Sequence, residues 1–421
     1  MSKGHTVDRI VASIARRRAR ETRLKWAGFM AVAVTLALLA LLLGSIVALG
    51  WRAFQQTYLA LDVYFDPQVI APDGRLDEES LRQADYESLV RQALRELFPQ
   101  VEGRTQQRML YRLVSSGGAD YLSHMVLADP RLIGTRQRVW LPASSDVDMF
   151  AKGQTGAQRA ASLQPWIDHL LAQGRIEKRF NKTFFTAGDS REPELAGILG
   201  ALSGSFYTIG LTLLLSFPLG VAAAVYLEEF APKKNFWVDL IEVNINNLAA
   251  VPSIVFGLLG LAVFLNAFAL PRSTPLVGAL VLTLMTLPTI IITSRVSLQA
   301  VPPWIREAAL GVGASKMQMV LHHVLPLALP GMLTGAIIGT ARALGETAPL
   351  LMIGMVAFIV DIPRGLLDPA TVLPVQIYLW ADSAERGFVE RAAAAILVLL
   401  VFMLLMNALA IFLRRHFERR W

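Results

Sequence analysis

The strongest constraint on this chain is a series of long apolar runs that are almost free of charged side chains. The first extends from Trp26 to Gly50, and the others lie near 199–227, 248–269, 275–294, 331–357 and 391–413. An α-helix rises about 1.5 Å per residue, so ~20 residues are enough to cross the hydrocarbon core of a bilayer. The mean hydropathy of +0.46 agrees with this interpretation. The sequence therefore predicts an all-α polytopic membrane protein with six transmembrane helices.

Composition excludes several classes of site. The 421-residue chain has no cysteine, which excludes disulfides, thiolate metal sites and a cysteine nucleophile. The net charge of +7 is typical of basic flanks beside membrane spans, and no basic face interleaved with aromatic residues indicates nucleic-acid binding. His322 and His323 are adjacent and have no partners at metal-ligand spacing. We therefore predict no metal site, no nucleic-acid partner and, because no hydrolase pattern is found, no catalytic residues.

Residues 1–25 are polar and basic and precede the first apolar run. The cationic side chains nearest that run are Arg16, Arg17, Arg18, Arg20, Arg23 and Lys25. A secretory signal peptide is the alternative, but its apolar part would have only ~7–15 residues and a small-residue cleavage site. This run is longer and shows no clear cleavage pattern. We expect an uncleaved first transmembrane helix at 26–51, with its start held in the cytoplasm by the positive charges.

A hydrophilic segment, residues 52–195, separates the first apolar run from the other five. Glu78–Leu97 and Gln106–Leu127 have the spacing of amphipathic helices, and Gln137–Leu141 is typical of a strand. The segment is too long for a loop and too polar for a membrane. The sequence predicts a small α+β domain, which the orientation of the first span places in the periplasm.

The charges between the later runs distinguish the loops on the two sides of the membrane. An alternating topology that starts inside places these basic residues in the cytoplasm: Lys233, Lys234, Arg306, Lys316, Arg414, Arg415, Arg419 and Arg420. The opposite loops carry mixed charge: Asp361, Arg364, Asp368, Asp382 and Glu385. This asymmetry follows the positive-inside rule. We expect both the N-terminus and the C-terminal tail, 414–421, to be cytoplasmic.

The segment 298–330, between the fourth and fifth runs, carries a spaced motif. Its members are Glu307, Ala308, Ala309, Gly313, Leu325 and Pro326. The spacing resembles the cytoplasmic coupling motif of ABC importer permeases, although His323 stands where that motif has an aliphatic residue. Small alanines allow close approach of another surface, Gly313 permits a turn, and Glu307 supplies a charge across an interface. An ordinary cytoplasmic loop is the alternative, and we predict a contact for an ATPase.

No nucleotide site is predicted in the chain itself. Residues 311–316 resemble a phosphate loop only weakly, because no glycine precedes Lys316 and Met317 stands where serine or threonine is required. The chain is predicted to contact an ATPase but has no nucleotide site of its own, so the ATPase must be a separate subunit. ATP and Mg would be bound by those partner subunits, and we expect no cofactor in this chain.

The fifth apolar run combines a glycine face with two charges. Gly331, Gly335 and Gly339 are four residues apart, so they share one face on which another helix can pack closely.

Arg342 and Glu346 are also four apart. If the helix begins at Pro330, Arg342 lies about 18 Å along it, inside a core of ~30 Å. A charge at that depth usually faces a partner or an aqueous path. Since a guanidinium matches an oxyanion in shape and charge, we predict that both residues line a substrate pathway. A purely structural ion pair is the alternative.

Two further polar residues are weaker candidates for the pathway. Arg295 ends the fourth run, where a positive-inside flank is the alternative role. Asn247 precedes the third run, and its amide could donate to an anion or instead cap a helix or bond between helices.

Two segments carry a resemblance to a known family. Residues 246–260, Asn-Asn-Leu-Ala-Ala-Val-Pro-Ser-Ile-Val-Phe-Gly-Leu-Leu-Gly, and residues 341–351, Ala-Arg-Ala-Leu-Gly-Glu-Thr-Ala-Pro-Leu-Leu, resemble the A-type permease subunit of the phosphate-specific ABC transporter. Ala250 replaces an expected glycine. The resemblance covers about 196–413, a permease domain of five helices. From Trp140 to Asp148 the hydrophilic segment is also similar to an insert in longer proteobacterial versions of that subunit.

The resemblance implies a type I ABC importer permease core in the bacterial inner membrane, working by alternating access. It also implies four kinds of contact: a second homologous permease subunit, two ATPase subunits, a periplasmic phosphate-binding protein and membrane lipid. Two alternatives stay open, namely a permease for another oxyanion such as molybdate, sulfate or phosphonate, and a membrane-anchored sensor. The short basic tail after Leu413 argues against the sensor, which would normally carry a cytoplasmic signalling domain.

Overall fold

The computed structural model describes residues 4–153, 162–232 and 235–417. Lys233, Lys234, Arg419 and Arg420, which the sequence places in the cytoplasm, lie outside the described residues, as does the side chain of Arg16. The described residues form a hydrophilic domain, 52–195, and a membrane domain made of the first helix and residues 196–417.

The first helix and the hydrophilic domain contain one three-stranded sheet and a set of short helices. Their bounds are α1 Gly4–Ala53, β1 Gln55–Tyr64, α2 Pro67–Ile70, α3 Glu78–Gln83, α4 Tyr86–Leu97, α5 Arg104–Tyr111, α6 Gly117–Ala128, β2 Arg136–Pro142, α7 Ser145–Ala151, α8 Gln164–Ala172, β3 Ile176–Phe180 and α9 Lys182–Thr186.

Strand β1 is the centre of the sheet, with β2 and β3 antiparallel on its two sides. Leu59 lies opposite Leu141 of β2, and both side chains are fully buried in the core of the domain. The predicted strand Gln137–Leu141 is confirmed and is one residue longer at each end. Strands β1 and β3 were not predicted, because β1 is buried on both faces and shows no polar alternation.

The two predicted amphipathic helices exist, but each is broken into two. Glu78–Leu97 divides into α3 and α4, because the side chain of Asp85 accepts a hydrogen bond from the Ser88 amide and starts a new helix. Gln106–Leu127 divides into α5 and α6 around Val114, which bridges to Ala143. The hydrophobic core closes between these helices and the sheet.

The membrane domain continues with long helices and short connecting ones. Their bounds are α10 Leu199–Val225 with a π-helical turn Tyr226–Phe230, α11 Phe236–Ala249, α12 Ser253–Gly260 with a π-helical extension Leu261–Ala267, α13 Pro275–Gln299, α14 Pro303–Gly311, α15 Lys316–Met319 with a π-helical turn Val320–Val324, α16 Leu325–Gly345, α17 Ala348–Met352, α18 Leu373–Ala381 and α19 Gly387–Phe417. Among the described residues, five helical stretches are long and apolar enough to cross a membrane, or six if the bent pair α11 and α12 counts as one. The predicted membrane fold class is confirmed.

The third apolar run, 248–269, is not one continuous helix in the structure. The chain reaches this region through α11, bends by 104° and continues as α12. Pro252 lacks an amide hydrogen and disfavours helical backbone at Val251, so the helix cannot run through this point.

The predicted bounds of the fifth span, 331–357, and of the coupling loop, 298–330, are also wrong. The helix begins at Lys316, where Ser315 and Gln318 form a reciprocal capping box, and it runs to Gly345 with Pro330 inside it. The second half of the predicted loop is therefore the first part of the span. The helix ends at Gly345, and Glu346 has an extended backbone.

Helix α13 is the most buried of the long helices and packs against α10 and α16. Helices α1 and α19 pack against each other, and their apolar stretches are largely exposed. Apolar surface of this extent is what a bilayer covers. The inner core of the membrane domain therefore lies around α13, and α1 with α19 forms its periphery.

Candidate translocation and coupling site

The two segments that carry the family resemblance meet in space. Helix α12, from the first segment, packs against α17, from the second. A Cβ atom at Gly257 would come within 2.7 Å of the Pro349 Cα, so only glycine allows this approach. Residues separated by about 90 positions thus form one contact, and the sequence alone did not predict it.

The glycine face of α16 lies against α13. A Cβ at Gly331 would overlap Ser297, and one at Gly335 would overlap Thr293. At Gly339 a Cβ would meet Ile290 at an ordinary 3.8 Å. The close packing of α16 on α13 therefore requires glycine at Gly331 and Gly335, whereas a Cβ atom would fit at Gly339.

Arg342 and Glu346 lie at the end of α16. The guanidinium Nε is 3.5 Å from a carboxylate oxygen of Glu346, and the side chains are 45% and 20% exposed. The helix begins before Pro330 and ends three residues after Arg342, so this arginine lies in its last turn and the assumed helix start at Pro330 is wrong. Ile338, Arg342 and Gly345 share an exposed face, so the charge is accessible at the surface of this chain.

The other two predicted pathway residues are Arg295 and Asn247. Among the described residues, no hydrogen bond or ion pair connects either of them to Arg342 or Glu346. Arg295 donates to Glu242 of α11 at 2.8 Å and lies 3.6 Å from Glu228. Two carboxylates therefore already neutralise its charge. The side chain of Asn247 is exposed near the end of α11.

The coupling motif forms two short helices joined by a tight turn. Gly313 lies between α14 and α15 with a φ of +87°, a conformation that favours glycine. Leu325 and Pro326 follow the π-helical turn Val320–Val324, inside the continuous helix Lys316–Gly345. This arrangement presents α14 and its turn as a separate element, which we call the coupling element (303–319).

One side of the coupling element is exposed and the other is packed. Glu307 and Ala308 are exposed, whereas Ala309 is buried beneath them in the membrane domain. Ala309 therefore packs closely against other residues of this chain and not against a partner. Four apolar side chains of the same element are also exposed: Trp304, Leu310, Val312 and Met317. Val312 is 85% exposed, which is unusual for valine and marks a surface suited to a partner.

A partly buried ion pair that the sequence did not predict fixes the coupling element. Arg306 donates from Nε and Nη2 to Glu229 at 3.0 and 2.7 Å. The same guanidinium donates to the carbonyl oxygens of Leu298, in the last turn of α13, and of Val301, just after that helix. Gln299 also donates to Glu228. The end of α10, α13 and α14 are thereby joined, and the only signal in the sequence was the adjacent pair Glu228-Glu229 just after an apolar run.

Two family models match the chain. Residues 216–421 match the family described as binding-protein-dependent transport system inner membrane component. Residues 11–161 match a family described as a domain of unknown function (DUF3333).

Three relatives are similar to this chain over slightly more than half of its length. The probable ABC transporter permease protein YqgI of Bacillus subtilis is 31% identical over 261 residues, which cover 59% of this chain and 86% of the relative. The phosphate transport system permease protein PstA of Haemophilus influenzae is 31% identical over 236 residues, 56% of this chain and 81% of the relative. PstC of Haemophilus influenzae is 30% identical over 253 residues, 54% of this chain and 78% of the relative.

Proposed function

We propose that this chain, which belongs to the family of binding-protein-dependent transport system inner membrane components, is the permease subunit of an ATP-driven phosphate importer. The observation that carries the transport role is the coupling element, an exposed surface tied to two long helices by a partly buried ion pair and its backbone hydrogen bonds. Phosphate as the cargo rests on the similarity to a phosphate transport system permease protein. The subunit moves its cargo by conformational change and performs no covalent chemistry.

The coupling element supports contact with an ATPase. Glu307, Ala308 and Val312 form an exposed surface around which apolar side chains cluster. We infer that two partner ATPase subunits bind ATP and Mg, and that one of them docks here. Closure of the ATPase pair would move α14, and the Arg306–Glu229 pair would carry that motion into α10 and α13. Alternating access follows from the relative movement of these helices.

Arg342 is our candidate for the anion contact in the pathway. Its guanidinium can give two parallel hydrogen bonds to a tetrahedral oxyanion, and Glu346 at 3.5 Å orients it. The exposed face of Ile338, Arg342 and Gly345 would then border a cavity shared with a second permease subunit. Arg295 is a weaker candidate, because Glu242 and Glu228 already hold it, and Asn247 is supported only by its exposure.

The partners and orientation follow from the same proposal. Similarity to both PstA and PstC proteins supports a second, homologous permease subunit, and the family description supports a periplasmic binding protein. The exposed apolar stretches of α1 and α19 would contact lipid. The basic residues in the first half of α1 favour a cytoplasmic N-terminus and a periplasmic hydrophilic domain in the bacterial inner membrane.

Stimulation of ATP hydrolysis tests the cargo. The complete importer, with its binding protein, is reconstituted in nanodiscs and supplied separately with phosphate, sulfate, molybdate and a phosphonate. We expect phosphate to stimulate the ATPase rate and the other anions to leave it near the basal rate. Stimulation by one of the other anions alone would contradict phosphate as cargo while leaving the transport role intact.

Thiol labelling tests the orientation, since the chain has no cysteine of its own. A single cysteine at the exposed Thr105 should react with a membrane-impermeant reagent in intact spheroplasts. One at Val312, on the coupling element, should react only after lysis. The reverse pattern would overturn the topology.

A further inference from the structure

Exposed aromatic side chains lie where the first helix joins the hydrophilic domain. Trp51, Phe180 and Phe185 are 63%, 61% and 37% exposed, and we call these three residues the aromatic patch. The other phenylalanines among the described residues of the hydrophilic domain are buried or half-buried. The domain therefore buries its remaining phenylalanine rings and leaves only those at this end open.

The rings of the aromatic patch are connected through Phe54. The Phe54 ring lies 5.9 Å from that of Trp51 and stacks on that of Phe185 at 5.7 Å, both measured between ring centroids. Phe185 stacks in turn on Phe180 at 5.7 Å. Offset and edge-to-face contacts at these distances are favourable. The aromatic patch is therefore one continuous surface built by α1, β3 and α9.

Hydrogen bonds fix the aromatic patch at the end of α1. The side chain of Asn181 donates to the carbonyl oxygen of Ala53 at 2.9 Å, and its backbone amide donates to the carbonyl oxygen of Phe54 at 2.8 Å. Asn181 is fully buried and stands between β3 and α9. The two elements that carry the exposed phenylalanines are thus tied directly to the last residues of the first helix.

The length of α1 places the aromatic patch at the level of a bilayer surface. The apolar run of this helix ends at Gly50, and Arg52 follows it. Between Trp26 and Trp51 the helix rises about 38 Å, close to the ~40 Å thickness of a bilayer with its headgroup regions. Tryptophan is enriched at both of these interfaces. Trp51 therefore marks one interface, and the two phenylalanines connected to it lie beside that level.

Two lysines accompany the aromatic patch. Lys178 lies on the same face of β3 as the exposed phenylalanine of that strand, and Lys182 lies three residues before the one on α9. Both lysines are exposed. The neighbouring acid, Glu177, pairs with Arg179 at 2.7 Å. The charge that this end of the domain presents is therefore positive, and it complements anionic phospholipid headgroups.

We propose that the aromatic patch rests in the headgroup region of the bilayer, with Phe180 and Phe185 in the interface and with Lys178 and Lys182 on anionic phospholipid. The patch is continuous with the exposed apolar stretch of α1, which a bilayer must cover. Aromatic rings beside cations suit such an interface. The bilayer thereby holds the hydrophilic domain at a second place besides the first helix. This role goes beyond transport and holds whichever solute the membrane domain moves.

Quenching by spin-labelled lipid tests the proposal. Thr186→Cys places a fluorophore on the exposed face of α9, in a chain without other cysteines, and the full-length protein is put into nanodiscs that contain anionic phospholipid and a phospholipid with a nitroxide on its headgroup. We expect the lipid to quench this label. A bright label at this position would overturn the proposal.

Gln137→Cys is the matched control. Gln137 is exposed on the other outer strand of the sheet, opposite Val63, which is ~26 Å along β1 from the end that joins α1. A label there should keep its fluorescence. Equal quenching at both positions would show that the aromatic patch is not the part of the domain that meets the membrane, and would contradict the proposal.

Two double variants of the Thr186→Cys chain separate the rings from the charges. Phe180→Ser with Phe185→Ser should abolish the quenching, and quenching that persists would overturn the role of the rings. Lys178→Gln with Lys182→Gln keeps the rings and changes only exposed side chains, so the fold should be retained. In this variant we expect the ratio of quenched to unquenched label to fall about fivefold for each lysine replaced. An unchanged ratio would contradict the contact with anionic lipid.

The assembled importer provides the last comparison, because a partner subunit is the alternative occupant of this surface. The same label should stay quenched when the complete complex is placed in the nanodiscs. Loss of quenching on assembly would assign the aromatic patch to a subunit interface and overturn the proposal. None of these measurements depends on phosphate, so their outcome is separate from the test of the cargo.

Discussion

Two junctions hold the membrane domain to its neighbouring elements, and they differ in how deeply their ion pairs are buried. At the coupling element, the side chains of Arg306 and Glu229 are 21% and 7% exposed, and Arg306 also donates to two backbone carbonyls. Where the hydrophilic domain meets the last helix, Lys152 lies between Asp148 and Glu390, and each of the three side chains is at most 8% exposed. The first junction is partly open to solvent, and the second is closed.

The two junctions therefore connect their elements differently. The hydrogen bonds from Arg306 to Glu229 and to the carbonyls of Val301 and Leu298 tie the coupling element to α10 and α13, so a partner that moves this element would also move these helices. At the closed junction, loss of one charged partner would leave another charge buried without its counter-charge, which is costly. The following predictions compare the coupling element with the half-exposed pair Arg342–Glu346 and with a partly exposed ion pair of the hydrophilic domain.

The largest effect is expected at Arg342, which belongs to neither junction. Arg342→Gln removes charge-assisted hydrogen bonds worth about 3 kcal/mol or more in total, so phosphate uptake should fall by at least ~100-fold. Membrane abundance should stay near that of the wild type, because a half-exposed ion pair contributes less than ~1 kcal/mol to stability. Uptake assays with quantitative blotting measure both. Loss of the protein from the membrane would instead favour a structural pair.

The second effect concerns the coupling element. Glu229→Gln leaves Arg306 without its counter-charge in a largely buried site, and we expect a cost of about 3 kcal/mol, the lower end for a broken buried pair. Thermal unfolding measures that cost, and ATP hydrolysis should lose its response to phosphate while the ATPase still co-purifies. Glu228→Gln, at a partly exposed carboxylate 3.6 Å from Arg295, is the control and should cost less. Equal effects of both variants would show that the pair is not the connection.

A smaller effect is expected at the turn of the coupling element. Gly313→Val places a β-branched side chain at a φ of +87°, which costs roughly 1–2 kcal/mol in backbone strain and should weaken ATPase binding about tenfold. Gly311→Ala is the control, because nothing lies near a Cβ at that position. Co-purification of the ATPase measures the change. Retention of ATPase with Gly313→Val would mean that another surface binds it.

The smallest effect is expected at a partly exposed ion pair within the hydrophilic domain. A hydrogen bond from Arg138 holds the pKa of Asp62 below its usual value, and Arg175 lowers it further. The contribution of Asp62 to stability is therefore present above the unfolded pKa and is lost as the pH falls through the folded pKa. Asp62→Asn should cost less than ~1 kcal/mol at pH 7, since the carboxylate is partly exposed. Thermal unfolding should show that the difference in stability between the wild type and Asp62→Asn shrinks below pH 4. A difference that stays constant with pH would contradict the ion-pair role of Asp62.

The sequence predicted the features that depend on composition and local spacing. The apolar runs identified the membrane helices, and the position of Gly313 identified a turn, because both depend on a few neighbouring residues. The bend at Pro252 and the capping box at Ser315 were also present in the sequence, but the length of the apolar runs concealed them.

The contacts between distant residues could not be predicted in the same way. Arg306 and Glu229 are 77 positions apart, and Lys152 and Glu390 are 238 apart. Nothing in the local pattern shows which carboxylate an arginine will meet, and Glu390-Arg391 at the start of an apolar run resembles an ordinary flank. The buried charges that distinguish the two junctions therefore emerge only from the folded chain.

The central claim is that this chain is the phosphate-conducting subunit of an importer. Its most direct test is phosphate uptake in a bacterial strain that lacks its own A-type phosphate permease and expresses this chain with its cognate partners. We predict that the wild-type chain restores uptake and that Arg342→Gln, present at equal abundance, does not. Assembly of the complete complex without phosphate uptake by the wild-type chain would contradict the account.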